Sequence, residues 1–244
     1  MTAIRGLLFD KDGTLIDFHA SWGGAVKAVA GLVAELAGDP ALAARLLADG
    51  GYDEGTGRLD PASLLACGTN HEIVEQWSRI PAVARIPHLH ARVVETFGQY
   101  AAQAVPVTDL PALFGRFRRR GLKLGVATND HTAATHITLD ALGATPHLDF
   151  VAGADAGFGG KPGPGMLVGF CQATGLAPRE VAVVGDTVAD IGMARAGSAG
   201  LAVGVLSGVS PHATLAAIAD HVLDSIVGLE DLLDRLAPAG TRAN

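Results

Sequence analysis

Several things are scarce in this chain of 244 residues, and each scarcity removes a class of protein. Only two cysteines occur, Cys67 and Cys171, without CxxC spacing. That count supports neither a disulfide framework nor a thiolate zinc site, and it predicts two buried free thiols. No apolar run reaches the roughly 18 residues of a membrane span, so no membrane partner is expected. The first apolar run, from Ile4, breaks at Asp10, too short and too early for a signal peptide. A soluble, cytoplasmic protein is the expectation. Basic residues are also few, 18 against 25 acidic ones, for a formal charge of −7. Such a balance repels polyanions and leaves no basic stripe, so nucleic acid is not an expected partner. Aromatics are only 5% of the chain, which makes the expected core aliphatic.

What the chain does have is a run of short aliphatic segments, each closed by a polar or glycine-rich turn. Residues 4–9, 123–127, 150–152, 181–184 and 201–205 read as buried strands, with 221–223 as a weaker sixth. Helical periodicity fills 111–120, 132–142, 165–174 and 188–196. This alternation predicts an α/β fold, a doubly wound parallel sheet of Rossmann-like type, whose ligands bind beyond the carboxyl ends of the strands. From about Phe18 to Val105 no strand is expected, only helical stretches at 20–36, 41–48, 71–79 and 88–103, divided by a turn-rich segment at 49–61. The expected organisation is therefore a core of residues 1–17 and 106–244 with a smaller helical domain at 18–105. The Ala-Pro-Ala-Gly stretch at 237–240 is expected to be a frayed end.

Four motifs fall at successive strand ends. Asp10-Lys11-Asp12-Gly13-Thr14 follows the first strand, and two carboxylates so close together call for a shared cation or proton. Thr128-Asn129-Asp130 follows the next and offers a hydroxyl and an amide, donors suited to phosphoryl oxygens. Gly159-Gly160-Lys161-Pro162 presents a lysine, a compact charge suited to phosphate, on a constrained loop. Pro162 stands where a Walker loop needs Ser or Thr, and where a dinucleotide fingerprint starting at Gly157 needs its third glycine. Gly185-Asp186-Thr187-Val188-Ala189-Asp190 places two aspartates one helical turn apart. Each motif has a plain alternative: a solvated turn for the first, helix capping for the second and fourth, a surface lysine for the third. Together they converge.

In that order and spacing, Asp10 to Thr14, Thr128, Lys161 and Gly185-Asp186 through Asp190 resemble the four motifs of the haloacid dehalogenase superfamily. The helical insertion resembles its C1-type cap, and the chain looks most like the phosphoglycolate phosphatase group. The resemblance implies a Mg²⁺-dependent phosphatase acting on a small phosphorylated metabolite through an aspartyl-phosphate. Asp10 would be the nucleophile and Asp12 the general acid and base. Thr128, Asn129 and Lys161 would hold the phosphoryl group. Mg²⁺ would take the Asp10 and Asp186 carboxylates and the Asp12 backbone carbonyl, with Asp190 a further ligand or a partner orienting water and Lys161. An aspartate at position 12 argues for ester hydrolysis over carbon–halogen or phosphorus–carbon chemistry.

Lys11 departs from the apolar or aromatic residue often found between the two aspartates. Its side chain is expected to point away from the pocket, although an influence on Asp10 is conceivable. Phe9 is expected in the core, and Asp17-Phe18-His19 is read as a hinge of the cap or a surface turn. A phosphomutase of the β-phosphoglucomutase type shares every motif and would draw on cap residues such as Arg58, His71, His88 or His90. A catalytically silent binding domain is the non-enzyme alternative, though no motif residue is missing. The turns at 50–55 and at Cys67-Gly68-Thr69-Asn70 are the candidate pocket-facing loops of the cap. Monomer and homodimer are both compatible with the sequence.

Overall fold

The computed structural model describes residues 3–60 and 63–237, without the side chain of Cys67. Residues 238–240 of the expected frayed end lie outside that range. In chain order, β1 (Gly6–Phe9) leads into α1 (Phe18–Leu36), α2 (Leu42–Asp49), β2 (Tyr52–Asp53) and β3 (Arg58–Leu59). Four more helices follow: α3 (Leu64–Cys67), α4 (Asn70–Trp77), α5 (Pro81–Ala84) and α6 (Leu89–Ala101). The alternating part then runs α7 (Leu110–Arg119), β4 (Lys123–Ala127), α8 (Thr132–Ala141), β5 (Phe150–Ala152), α9 (Gly165–Thr174) and β6 (Val181–Gly185). It closes with α10 (Val188–Ala196), β7 (Leu201–Val205), α11 (His212–Ala216), β8 (His221–Leu223) and α12 (Leu229–Leu236).

Six strands form one parallel sheet in the order β5-β4-β1-β6-β7-β8. Alternation of side chains along each strand divides the core into two layers. Leu7 and Phe9 of β1 join Val126, Val184 and the α7 phenylalanines Phe114 and Phe117 on one face. Leu8 joins Val183, Met166 and Phe170 on the other. Phe9 is thus core, stacked on Phe114 at 5.4 Å between ring centroids. The chain leaves β1 toward β4 and β5 on one side and later crosses to β6, β7 and β8 on the other. This reversal opens a crevice at the carboxyl ends of β1, β4 and β6, where ligands bind in such sheets. Phe9 is level with Val126 and Val184, so the residues just beyond these strands meet at one height.

A third apolar cluster is built from α1 to α6, with Trp22, Val26, Val29, Trp77 and Val93 inside it. Asp17 caps α1, its carboxylate accepting from the Ala20 amide at 2.9 Å. The two chain crossings into this cluster run side by side, with Asp17 N donating to Val105 O and Val107 N to Leu15 O.

Three details correct the expectations. Residues 52–53 and 58–59 pair as a short antiparallel hairpin within the stretch expected to be all helical. Two residues per strand are too few for alternation to register in a sequence. The first strand begins at Gly6, two residues later than expected. Helices α11 and α12 lie in the C-terminal part, where no helix was expected. Of the two cysteines, Cys171 is free and buried, while the Cys67 side chain lies outside the described residues. No helix among the described residues is long and apolar enough to cross a membrane.

Candidate active site

Three aspartates and one lysine, far apart in sequence, meet at the sheet's carboxyl edge. Carboxylate oxygens of Asp10, Asp186 and Asp190 lie within 4.8 Å of one another, and all three residues are buried. Lys161 Nζ donates to Asp10 Oδ1 at 2.5 Å and to Asp190 Oδ1 at 2.6 Å. Burial, together with the charges of Asp190 and Asp12, pushes the Asp10 pKa up to about 7 even though Lys161 pulls the other way. Burial and the Asp10 and Asp190 charges likewise raise that of Asp186 well above the usual carboxylate range. Of the three carboxylates, Asp10 and Asp190 share the one ammonium and Asp186 is bonded to none.

The local chain explains each placement. Helix α10 is capped by Thr187, whose hydroxyl accepts from the Asp190 amide while Asp190 Oδ2 accepts from the Thr187 amide and hydroxyl. Asp186 is therefore not the cap, and its carboxylate turns to the site, where Oδ1 accepts from the Thr14 hydroxyl at 3.4 Å. It accepts from the Val209 amide at 2.8 Å and lies against Gly13 and Gly208. A β-carbon at Gly208 would come within 1.9 Å of Asp186 Oδ2, and Gly13 sits at φ 82° besides, so both positions need glycine. The Lys161 loop is clamped by Asn129, whose Oδ1 accepts from the Lys161 amide at 2.8 Å and whose Nδ2 donates to the Lys161 carbonyl at 3.3 Å. His131, not Thr128 or Asn129, occupies the N-cap of α8. Thr128 is buried, its hydroxyl 3.5 Å from Asp12 Oδ2.

Lys11 does not line the pocket. Its side chain lies fully buried behind Asp12 and Asp130, which do, with Nζ 2.9 Å from both Asp12 Oδ1 and Asp130 Oδ2. The ammonium also stands 4.7 Å from the ring centroid of Trp22, whose indole N–H donates to the same Asp12 oxygen. Burial opposes the Lys11 charge, yet Asp12 and Asp130 outweigh it and hold the pKa above the ordinary lysine value. Lys11→Met is expected to lower stability by roughly 3 kcal/mol, the low end for breaking a buried pair because both carboxylates keep some contact with water. Urea denaturation measures this, and a change within about 0.5 kcal/mol would mean that the pair contributes no more than a surface contact.

A pocket opens over these groups, lined below by Asp10, Asp12, Thr128, Asn129, Asp130 and Lys161. Its upper wall comes from α1, α3, α4 and α6, chiefly through Phe18, Trp22, Val26, Leu65, Ile73 and Phe97. Gly68 and Asn70 also line it, as one of the two candidate loops required, whereas residues 50–55 do not. Arg58, His71, His88 and His90 are absent from the lining. Sequence reasoning missed Trp22, Asp130 and the Val209 amide. The Ser207-Gly208-Val209 turn directly after β7 carried the same strand-end signal as the other motifs; Trp22 carried none.

The family model of the haloacid dehalogenase-like hydrolases matches residues 4–198. This chain is a haloacid dehalogenase-like hydrolase. Among curated proteins the hydrolase is 30% identical to a phosphoglycolate phosphatase of Yersinia pestis, over 96% of this chain and 97% of that one. It is 35% identical to a phosphoglycolate phosphatase of Rhodospirillum rubrum over 134 residues, 54% of each chain; that match spans about half the relative's length. A solved hydrolase from Pseudomonas syringae shares the fold, with a TM-score of 0.68 and 22% identity, covering 96% of this chain and 100% of that one. The hydrolase's acidic cluster also suits a metal. Its donors are carboxylate oxygens with excess negative charge, the ligand set of a hard divalent cation.

Proposed function

We propose that the hydrolase is a Mg²⁺-dependent phosphatase that cleaves a small phosphate monoester through an aspartyl-phosphate, an acyl phosphate on Asp10. The observation that carries this reading is the Asp10 carboxylate held against the Lys161 ammonium inside a buried acidic triad. Mg²⁺ would be held by the Asp10 and Asp186 carboxylates and the Asp12 backbone carbonyl, and it supplies neutralisation of negative charge. Both Asp190 oxygens accept short hydrogen bonds, 2.6 Å from Lys161 and 2.6 Å from the Thr187 hydroxyl, whereas Asp186 Oδ1 has only a 3.4 Å contact from the Thr14 hydroxyl. This favours Asp190 as the residue that orients Lys161 over a role as ligand.

In the first step an Asp10 oxygen attacks phosphorus, the bond from phosphorus to the leaving oxygen breaks, and Asp12 gives that oxygen a proton. In the second, Asp12 takes a proton from water as the water attacks phosphorus, which frees the Asp10 carboxylate and inorganic phosphate. Lys161 and the Thr128 hydroxyl hold phosphoryl oxygens, and the Asn129 amide clamp keeps the Lys161 loop in place. Lys11 and Trp22 fix the orientation of Asp12 from behind and above. The curated relatives are phosphoglycolate phosphatases, which makes phosphoglycolate the reference ester for this chain. A phosphomutase would need polar groups overhead for the far end of a sugar phosphate, and the overhead wall is mostly apolar.

Excess chelator is expected to stop release of inorganic phosphate from phosphate esters, and added Mg²⁺ to restore it. An undiminished rate in chelator would remove the metal from this mechanism. Loss and recovery of phosphate release, rather than of rearranged ester, separates hydrolysis from group transfer within the substrate.

A further inference from the structure

The upper wall of the cavity has a chemistry that the lower wall does not share. Phe18, Trp22, Val26, Leu65, Ile73 and Phe97 line it, each less than a tenth exposed, and among the described residues the polar one that lines it beside them is the uncharged Asn70. Among the described residues the only cation on the lining is Lys161, and its ammonium is already shared by Asp10 and Asp190. Lys11, just behind the wall, is taken up by Asp12 and Asp130. Asp12 and Asp130 themselves line the cavity. A phosphate monoester brings nearly two negative charges of its own, so the site has no cation left for a further anion on the ester's other half.

We infer that the alcohol half of the substrate is uncharged and apolar, an alkyl or aromatic-bearing primary alcohol, and that an ester carrying a carboxylate beside the phosphate is disfavoured. This inference rests on the phosphatase reading and narrows its substrate. A carboxylate placed against these side chains would lose its water and gain no partner, with the Asp130 carboxylate nearby. An apolar group gains by burial against the same surface. The edge-to-face pair of Trp22 and Phe97, 5.9 Å between centroids, gives such a group an aromatic wall.

The test compares kcat/KM of the full chain, with Mg²⁺, for butyl phosphate and benzyl phosphate against phosphoglycolate. All three release a primary alcohol oxygen, so the comparison reads the wall more than the chemistry of the leaving group. The two esters with uncharged alcohol halves are expected to be favoured by at least about tenfold. Equal or better turnover of phosphoglycolate overturns the inference and leaves the phosphatase reading standing. Hydrolysis of none of the three overturns both. Asn70→Arg, which adds a cation at the edge of the wall, is expected to shift the ratio of phosphoglycolate to butyl phosphate by about tenfold toward phosphoglycolate. An unchanged ratio in a folded variant overturns the assignment of this wall as the seat of the alcohol.

Discussion

Asp10→Asn is expected to reduce turnover by a factor on the order of 10⁴ or more, because it removes the nucleophile and keeps its shape. Asn Oδ1 can still accept from Lys161, so the variant should fold. It also deletes one of three mutually repelling buried carboxylates, and in metal-free buffer its melting temperature should match or exceed that of the parent. The pH dependence follows from linkage. Native Asp10 binds its proton more tightly than an ordinary aspartate, about 7 against 3.8. The metal-free protein therefore loses stability as pH rises from about 4 toward 7, and Asp10→Asn removes that contribution. Phosphate release and thermal melts at several pH values measure both effects. Appreciable residual hydrolysis by the variant would end the case for Asp10 as nucleophile.

The second large effect is expected for Lys161→Met. The substitution leaves Asp10, Asp186 and Asp190 buried without their ammonium, which should destabilise the metal-free protein by roughly 3–5 kcal/mol. Turnover should fall on the order of 10³-fold, the scale for losing a preorganised charge at a transferring group. Stability and activity should then separate. A divalent cation that binds only the folded form returns stability by mass action, while the phosphoryl contact stays lost. A variant whose turnover recovers along with its stability at saturating Mg²⁺ would show that Lys161 acts only as a structural counter-charge.

The sheet was legible because its strands are short apolar runs, and the central ones end on a polar residue, as in Leu124 to Ala127 followed by Thr128. Lys161 was legible for a different reason: its glycines and proline make little sense on an ordinary surface loop. Contacts that depend on register between distant segments were not legible. Nothing in the sequence near Trp22 says that its indole reaches Asp12, because that depends on how α1 is seated over the end of β1. The partners of Lys11 were hidden for the same reason. A lysine beside a strand end is ordinarily solvated, and only Asp130, 119 residues away, with Asp12 makes full burial tolerable. The hairpin at 52–59 was too short to leave a periodic signal, and Asn129, expected to hold the phosphoryl group, has a side-chain amide that clamps a loop 32 residues on.

The contact between Trp22 and Asp12 also makes the active centre optically visible. The chain has only two tryptophans, and Trp77 does not line the cavity. An indole hydrogen-bonded to a carboxylate and resting on an ammonium emits in a way set by those charges. Whatever enters the cavity and rearranges Asp12 therefore registers in the ultraviolet fluorescence of the unlabelled protein.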